Sequence, residues 1–257
     1  MPEMPQQPAM PLGSRLLNVF ATPGEVFENL RTAPPSTANW LVPALILIVV
    51  SWVAAWAIFS QESIRHQLSE ITDQAIQKQI EQGHLNEQQA EQARAMGEKW
   101  TGISSIIASA VMPVFGGFVT PFWWGLIVWL IGGKLFKGDF PYMKAVEAVG
   151  LSNMISVLDV VVKTLLILGL GNLYASPSLA LLVKQFDPQN PVHSSLAFVN
   201  VMTFWILTVR ALGMARLSRA SVAKSIAWVF GIWAAYTGFF VGLGFLMSAI
   251  FQKMGAR

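Results

Sequence analysis

The sequence predicts an all-α integral membrane bundle of about five transmembrane helices with an extramembrane helical hairpin, and three observations carry that reading. Hydrophobic residues make up 54% of the 257 and charged residues 12%, roughly half the charged share of an average soluble domain. The apolar residues fall in long uninterrupted runs, each close to the ~20 residues a helix needs to cross hydrocarbon. One stretch, 61–100, breaks that pattern with seven acids, four bases and many Gln.

Composition also excludes several kinds of chemistry. Without Cys there are no disulfides, thiolate nucleophiles, thiolate zinc sites, iron–sulfur clusters or palmitoylation. The net charge is +3, with no long basic block interleaved with aromatics, so nucleic acid is not an expected partner. His66, His84 and His193 stand far apart, outside metal-ligand spacing. Neither a phosphate-binding Gly loop nor a nucleophile elbow is present, so no enzyme, cofactor or metal site is expected. The first 40 residues lack a short apolar core with a small-residue cleavage site, leaving the first span to do the targeting.

Residues 1–11 carry Pro2, Pro5, Pro8 and Pro11 and read as a disordered tail. Over 12–40, Leu12, Leu16, Leu17 and Phe20 recur at helical spacing. Thr22–Pro23–Gly24–Glu25 then has the form of a capping box with Pro at the first helical position. Two short amphipathic helices on the cytoplasmic side are expected, lying in the bilayer interface or against the protein's own spans.

The membrane domain, 41–257, opens with a span over Leu41–Phe59. In the 61–100 insert, Ile64, Leu68, Ile71, Ala75, Ile76 and Ile80 keep a helical stripe, Gly83 and His84 interrupt it, and Asn86 with Gln89 forms a second capping box. That predicts the hairpin. Residues 102–133 are uncharged, and as one straight helix would measure ~48 Å. Pro113 and Pro121 point to a kink or an interfacial lead-in before a span ending near Ile131, with a re-entrant segment as the alternative. Further spans are expected at about 148–170, 196–212 and 226–251. Placing the N-terminus inside puts nine Lys and Arg of the short connections on the cytoplasmic side against three opposite.

Three groups of residues are candidates for function. Asp159 and Lys163, an acid and a base one turn apart in the third span, form either a mutually neutralising structural pair or a proton- or ion-coupling site. Lys134, Lys137, Asp139, Phe140, Tyr142, Lys144 and Glu147 mix charge with aromatics at a cytoplasmic interface. They fit either a docking or anionic-lipid surface or ordinary anchoring. Gly231, Ala235, Gly238 and Gly242 align small residues on one helix face, for packing within the chain or between copies.

Segments in a fixed order resemble the Yip-one (Ypt-interacting protein one) membrane family, particularly its bacterial branch: FATPGEVFENL at 20–30, WLVPALIL at 40–47, GGKLFKGDFPYMKAVEAVGLSNMISVLDVVV at 132–162 and TFWILTVRALGMARLSRASVAKSIAW at 203–228. The resemblance implies five spans, a cytoplasmic N-terminus and a role in membrane organisation. In eukaryotic relatives it implies contact with prenylated Rab-type GTPases. This chain lacks the DLYGP-type segment those relatives carry and inserts 61–100 between its first two spans. The resulting expectation is a non-enzymatic scaffold or adaptor of a bacterial inner membrane, its partners being the lipid bilayer and a membrane protein or a second copy. A transporter or channel component using Asp159, Lys163, Asn153, Asn200 and the Pro-broken second span is the alternative.

Overall fold

A computed structural model describes residues 10–81, 83–184, 186–188 and 190–255, with 98–103, 105, 106 and 251–255 described by backbone only. Its elements are helical throughout: α1 (Leu12–Ala21), α2 (Pro23–Thr32), α3 (Ala38–Phe59), α4 (Glu62–Glu81), α5 (Glu87–Val128), α6 (Tyr142–Ser152), α7 (Met154–Leu170), α8 (Pro191–Phe198), α9 (Val201–Ser218) and α10 (Val222–Gly255). A π-helix over Trp129–Leu135 continues α5, and a 3₁₀ turn covers Leu179–Leu182. Five helical stretches are long and apolar enough to cross a bilayer: Ala38–Phe59, Ile107–Leu135, Tyr142–Leu170, Val201–Ser218 and Val222–Ile250. The first nine residues of the expected tail lie outside the described residues. Met10 is held, its N–H donating to Asn29 Oδ1 at 3.0 Å.

The overlong second segment resolves into one helix. Helix α5 begins in the insert at Glu87 and runs through Pro113 and Pro121 to Val128, where the π-helix continues it, so residues 102–133 form no re-entrant break and the candidate span covers Ile107–Leu135. The third span begins earlier than the apolar run suggests, at Tyr142, because Lys144 and Glu147 are buried within a helical stretch.

The chain divides into two compact units. The first gathers residues 1–49, 114–159 and 201–236. At its heart α2 packs on α6 and α9: Phe27 is fully buried, and a Cβ placed on Gly213 would meet the Phe27 ring and Ala148 Cβ at 3.5 Å. The α9 span is 56% buried, against 11% for α10, so α9 is the hub and α10 faces outward over most of its surface. On α1 the inward face is Arg15 and Val19, one turn apart, while Leu17 of the expected stripe points out at 72% exposure. The α3–α6 crossing requires Gly150: a Cβ there would overlap the Cα and Cβ of Trp40. Trp40 in turn packs edge-on to Phe122, with ring centroids 5.0 Å apart.

The two capping boxes behave differently. Asn86 and Gln89 exchange side-chain-to-backbone bonds, Gln89 N–H to Asn86 Oδ1 at 2.8 Å and Asn86 N–H to Gln89 Oε1 at 3.0 Å. Thr22 makes no such cap, because its N–H is already taken by Asn18 O at 2.7 Å as α1 ends.

The second unit gathers 50–113, 160–200 and 237–257. Here Ile64 of α4 is buried with Ile167 of α7 and Ala175, and Gln67 Oε1 accepts from Leu173 N–H at 2.8 Å. Helices α4 and α5 meet where a Cβ on Gly97 would come within 2.8 Å of Thr72 Cγ2, beside an Arg94–Asp73 ion pair at 3.6 Å. Trp52 donates its indole N–H to Ala110 O at 3.0 Å. That carbonyl sits in the turn preceding Pro113, whose ring disturbs the helix ladder.

Candidate functional site

The first unit contains a buried polar cluster that joins four helices. Arg15 of α1 is 6% exposed, Asn39 of α3 1%, Lys144 5% and Glu147 1%. Arg15 donates through Nη1 to Asn39 Oδ1 at 3.2 Å and through Nη2 to Asn29 Oδ1 at 3.1 Å. Asn39 passes the connection on, its Nδ2 donating to Glu147 Oε2 at 2.6 Å. The other oxygen of Glu147 lies 3.6 Å from Lys144 Nζ. That ammonium also donates to Leu30 O at 3.0 Å and Ala33 O at 2.7 Å, two carbonyls near the C-terminal end of α2.

Each of these contacts has a physical reason. The last carbonyls of a helix have no intrahelical donor, and a buried cation at that end satisfies them while meeting the negative pole of the helix dipole. Burial lowers the pKa of Arg15 and the charge of Glu147 raises it again; arginine stays protonated at neutral pH regardless. The lone carboxylate therefore lies among two cations, and the two asparagines add hydrogen bonds to the Arg15 guanidinium and to Glu147 Oε2.

A second buried cation lies on α9. Arg210, 6% exposed, donates Nη2 to Asn153 Oδ1 at 3.0 Å, and its guanidinium sits 4.7 Å from the centre of the Trp124 ring. No carboxylate pairs with it among the described residues. Asn153 occupies the turn between α6 and α7, where its N–H bonds Val149 O and Gly150 O, both at 3.1 Å.

The sequence-nominated residues fall into different places. Of the expected docking surface, Lys144, Glu147 and Phe140 are buried, because α6 starts at Tyr142 and turns these side chains toward α1–α3 and α9 instead of solvent. Lys134, Lys137 and Asp139 remain exposed. Tyr142 is partly buried and donates to Phe122 O at 3.0 Å. Asp159 is partly buried and Lys163 exposed. Gly231, Ala235, Gly238 and Gly242 are all exposed, and a Cβ on any of the three glycines would meet nothing within 4 Å among the described residues.

Arg15, Asn29 and Asn39 were not singled out by sequence. The available signal was Arg15 one turn ahead of Val19 on an amphipathic helix, and Asn39 immediately before an apolar run. Among the described residues no group of His, Asp or Glu is arranged to hold a metal ion.

A profile of the Yip1 domain matches residues 17–252, from α1 almost to the end of α10. The chain belongs to the Yip1 family. It is a multi-pass membrane protein, and its Yip1 domain includes both buried clusters except Arg15, which lies two residues before the matched region. No curated protein and no solved structure matches it. Yip1-family proteins are not known enzymes.

Proposed function

We propose that this Yip1-family chain is a non-enzymatic scaffold or adaptor of a bacterial inner membrane, with its N-terminus in the cytoplasm and the α4–α5 hairpin on the opposite side. The observation that carries the reading is the use of the buried charges. Arg15, Lys144 and Glu147 are engaged with each other, with two asparagines and with the end of α2, so they hold the N-terminal helices to the spans and leave no acid or base facing a substrate.

Orientation draws support from the cations that remain exposed or partly so after burial is taken into account. Arg31, Lys134, Lys137, Arg216, Arg219 and Lys224 would lie on the N-terminal side with Lys184 opposite, while the side chains of Lys253 and Arg257 lie outside the described residues. The polar hairpin and the open glycine row of α10 supply surfaces for a membrane partner or a second copy.

A photo-crosslinking residue at Gln92, exposed on α5, tests the reading in native membranes. The expected result is one specific membrane-protein adduct, together with no solute flux when the purified chain is reconstituted in liposomes. No adduct at Gln92, with flux that depends on Asp159, would replace the adaptor with a transporter.

A further inference from the structure

Two basic segments far apart in sequence meet in the first unit. The backbone at Gly138 lies directly on the end of α9: a Cβ there would come within 2.7 Å of both Ser218 Cα and Gly132 O. Chain geometry then places the Cα atoms of Lys137 and Arg219, the neighbours of that contact, no more than about 12 Å apart. Lys134 precedes them, its ammonium 4.7 Å from the centre of the Trp129 ring, and Lys224 follows in the first turn of α10. All four cations are exposed, and Asp139 is the one acid between Lys134 and Lys224 in these two segments that is also exposed.

Backbone conformation marks the same place independently. Among the described residues, Lys137 at φ 57° and Arg219 at φ 58° are the non-glycine residues with positive φ. Arg219 follows the last residue of α9, and Ala220 N–H reaches back to Ala215 O at 3.1 Å, the six-to-one bond of a helix-ending motif whose left-handed position glycine usually fills. Lys137 stands two residues past the π-helix, where the next N–H, that of Gly138, reaches back to Gly132 O at 2.9 Å. A long cation in each of two glycine-favouring positions, side by side, is a conformational cost retained for the charge.

We propose that Lys134, Lys137, Arg219 and Lys224 form a docking rim for the phosphate headgroups of anionic phospholipids. The rim lies where the candidate spans ending at Leu135 and Ser218 and beginning at Val222 leave the apolar zone, at the depth of lipid phosphates, with Trp129 and the exposed Trp228 beside it. Four cations against one carboxylate match a negatively charged surface and not a mixed-charge protein face. The inference does not rest on the adaptor reading, since lipid selectivity is measured without any protein partner.

The test uses the full chain in phosphatidylcholine nanodiscs carrying spin-labelled phosphatidylglycerol or spin-labelled phosphatidylcholine, with the motionally restricted fraction read by electron paramagnetic resonance. The wild-type chain is expected to prefer phosphatidylglycerol, by about fivefold per engaged cation at low ionic strength, falling as salt is added. Lys137→Asn with Arg219→Asn keeps a residue that tolerates left-handed backbone; combined with Lys134→Gln and Lys224→Gln it should bring the preference close to one. The charge-conserving pair Lys137→Arg and Arg219→Lys should retain it. Equal preference in wild type and the quadruple variant overturns the proposal. So does loss in the charge-conserving pair, or an acidic membrane protein released by the quadruple variant while lipid preference is unchanged.

Discussion

The side-chain amide of Asn39 donates to Glu147 Oε2 at 2.6 Å across 108 residues of sequence, both groups being 1% exposed. This bond joins the start of the first span to α6, and through Arg15 and Lys144 it reaches α1 and α2. Glu147→Gln would leave two buried cations without their anion, and is expected to destabilise the protein by about 3–5 kcal/mol. Asn39→Ala, which removes the hydrogen bonds to both Arg15 and Glu147, should cost about 1–3 kcal/mol. Thermal unfolding in detergent of both variants and of the double variant checks this. The double variant should fall short of the sum, because the two side chains share one interaction.

Glycine substitutions should separate the packed helices from the open one. Gly150→Ala forces a Cβ into the Trp40 backbone and is expected to cost about 1–3 kcal/mol or more. Gly238→Ala meets nothing within 4 Å; the monomer should gain up to about 1 kcal/mol from the better helix former. Loss of stability in Gly238→Ala measured in membranes, but not in monomeric detergent preparations, would locate a contact between chains on that face.

Tyr174 lies between the third and fourth spans, its ring 5.0 Å from that of Phe186. Burial, with a further contribution from Asp187, raises its pKa above the ordinary 10.0. A raised phenol favours the folded state while it stays protonated. The resulting stabilisation is complete below the unfolded pKa and is lost as pH rises through the folded one. Absorbance at 295 nm, taken as the difference between wild type and Tyr174→Phe, should show a phenol ionising later than a free tyrosine. A titration at the ordinary value would contradict the burial seen here.

Much of the architecture was legible because the bilayer imposes a coarse rule. Runs such as 41–59 and 226–251 need little beyond length and apolarity, and the Asn86–Gln89 cap is local chemistry contained within a single turn. What was not legible depends on distant partners. Lys144 and Glu147 sit in KLFKGDFPYMKAVE, where three Lys and two acids suggest solvent. Only the meeting with Arg15, Asn39 and the end of α2, more than 100 residues upstream, makes their burial affordable in energy. The Thr22–Glu25 pattern misled for a related reason: its backbone donor was already engaged by the preceding helix. The glycine row of α10 pointed to packing, yet a row of small residues specifies a close approach without specifying which chain supplies the other side.

The tie between α2 and Lys144 also sets an order of events at the ribosome. Leu30 and Ala33 are synthesised 114 and 111 residues before the side chain that receives their carbonyls, on the order of ten seconds at ordinary elongation rates. Helix α9, which packs on Phe27, comes later still. Through that interval α2 has neither its cationic cap nor its apolar cover, so its docking follows the synthesis of the fourth span.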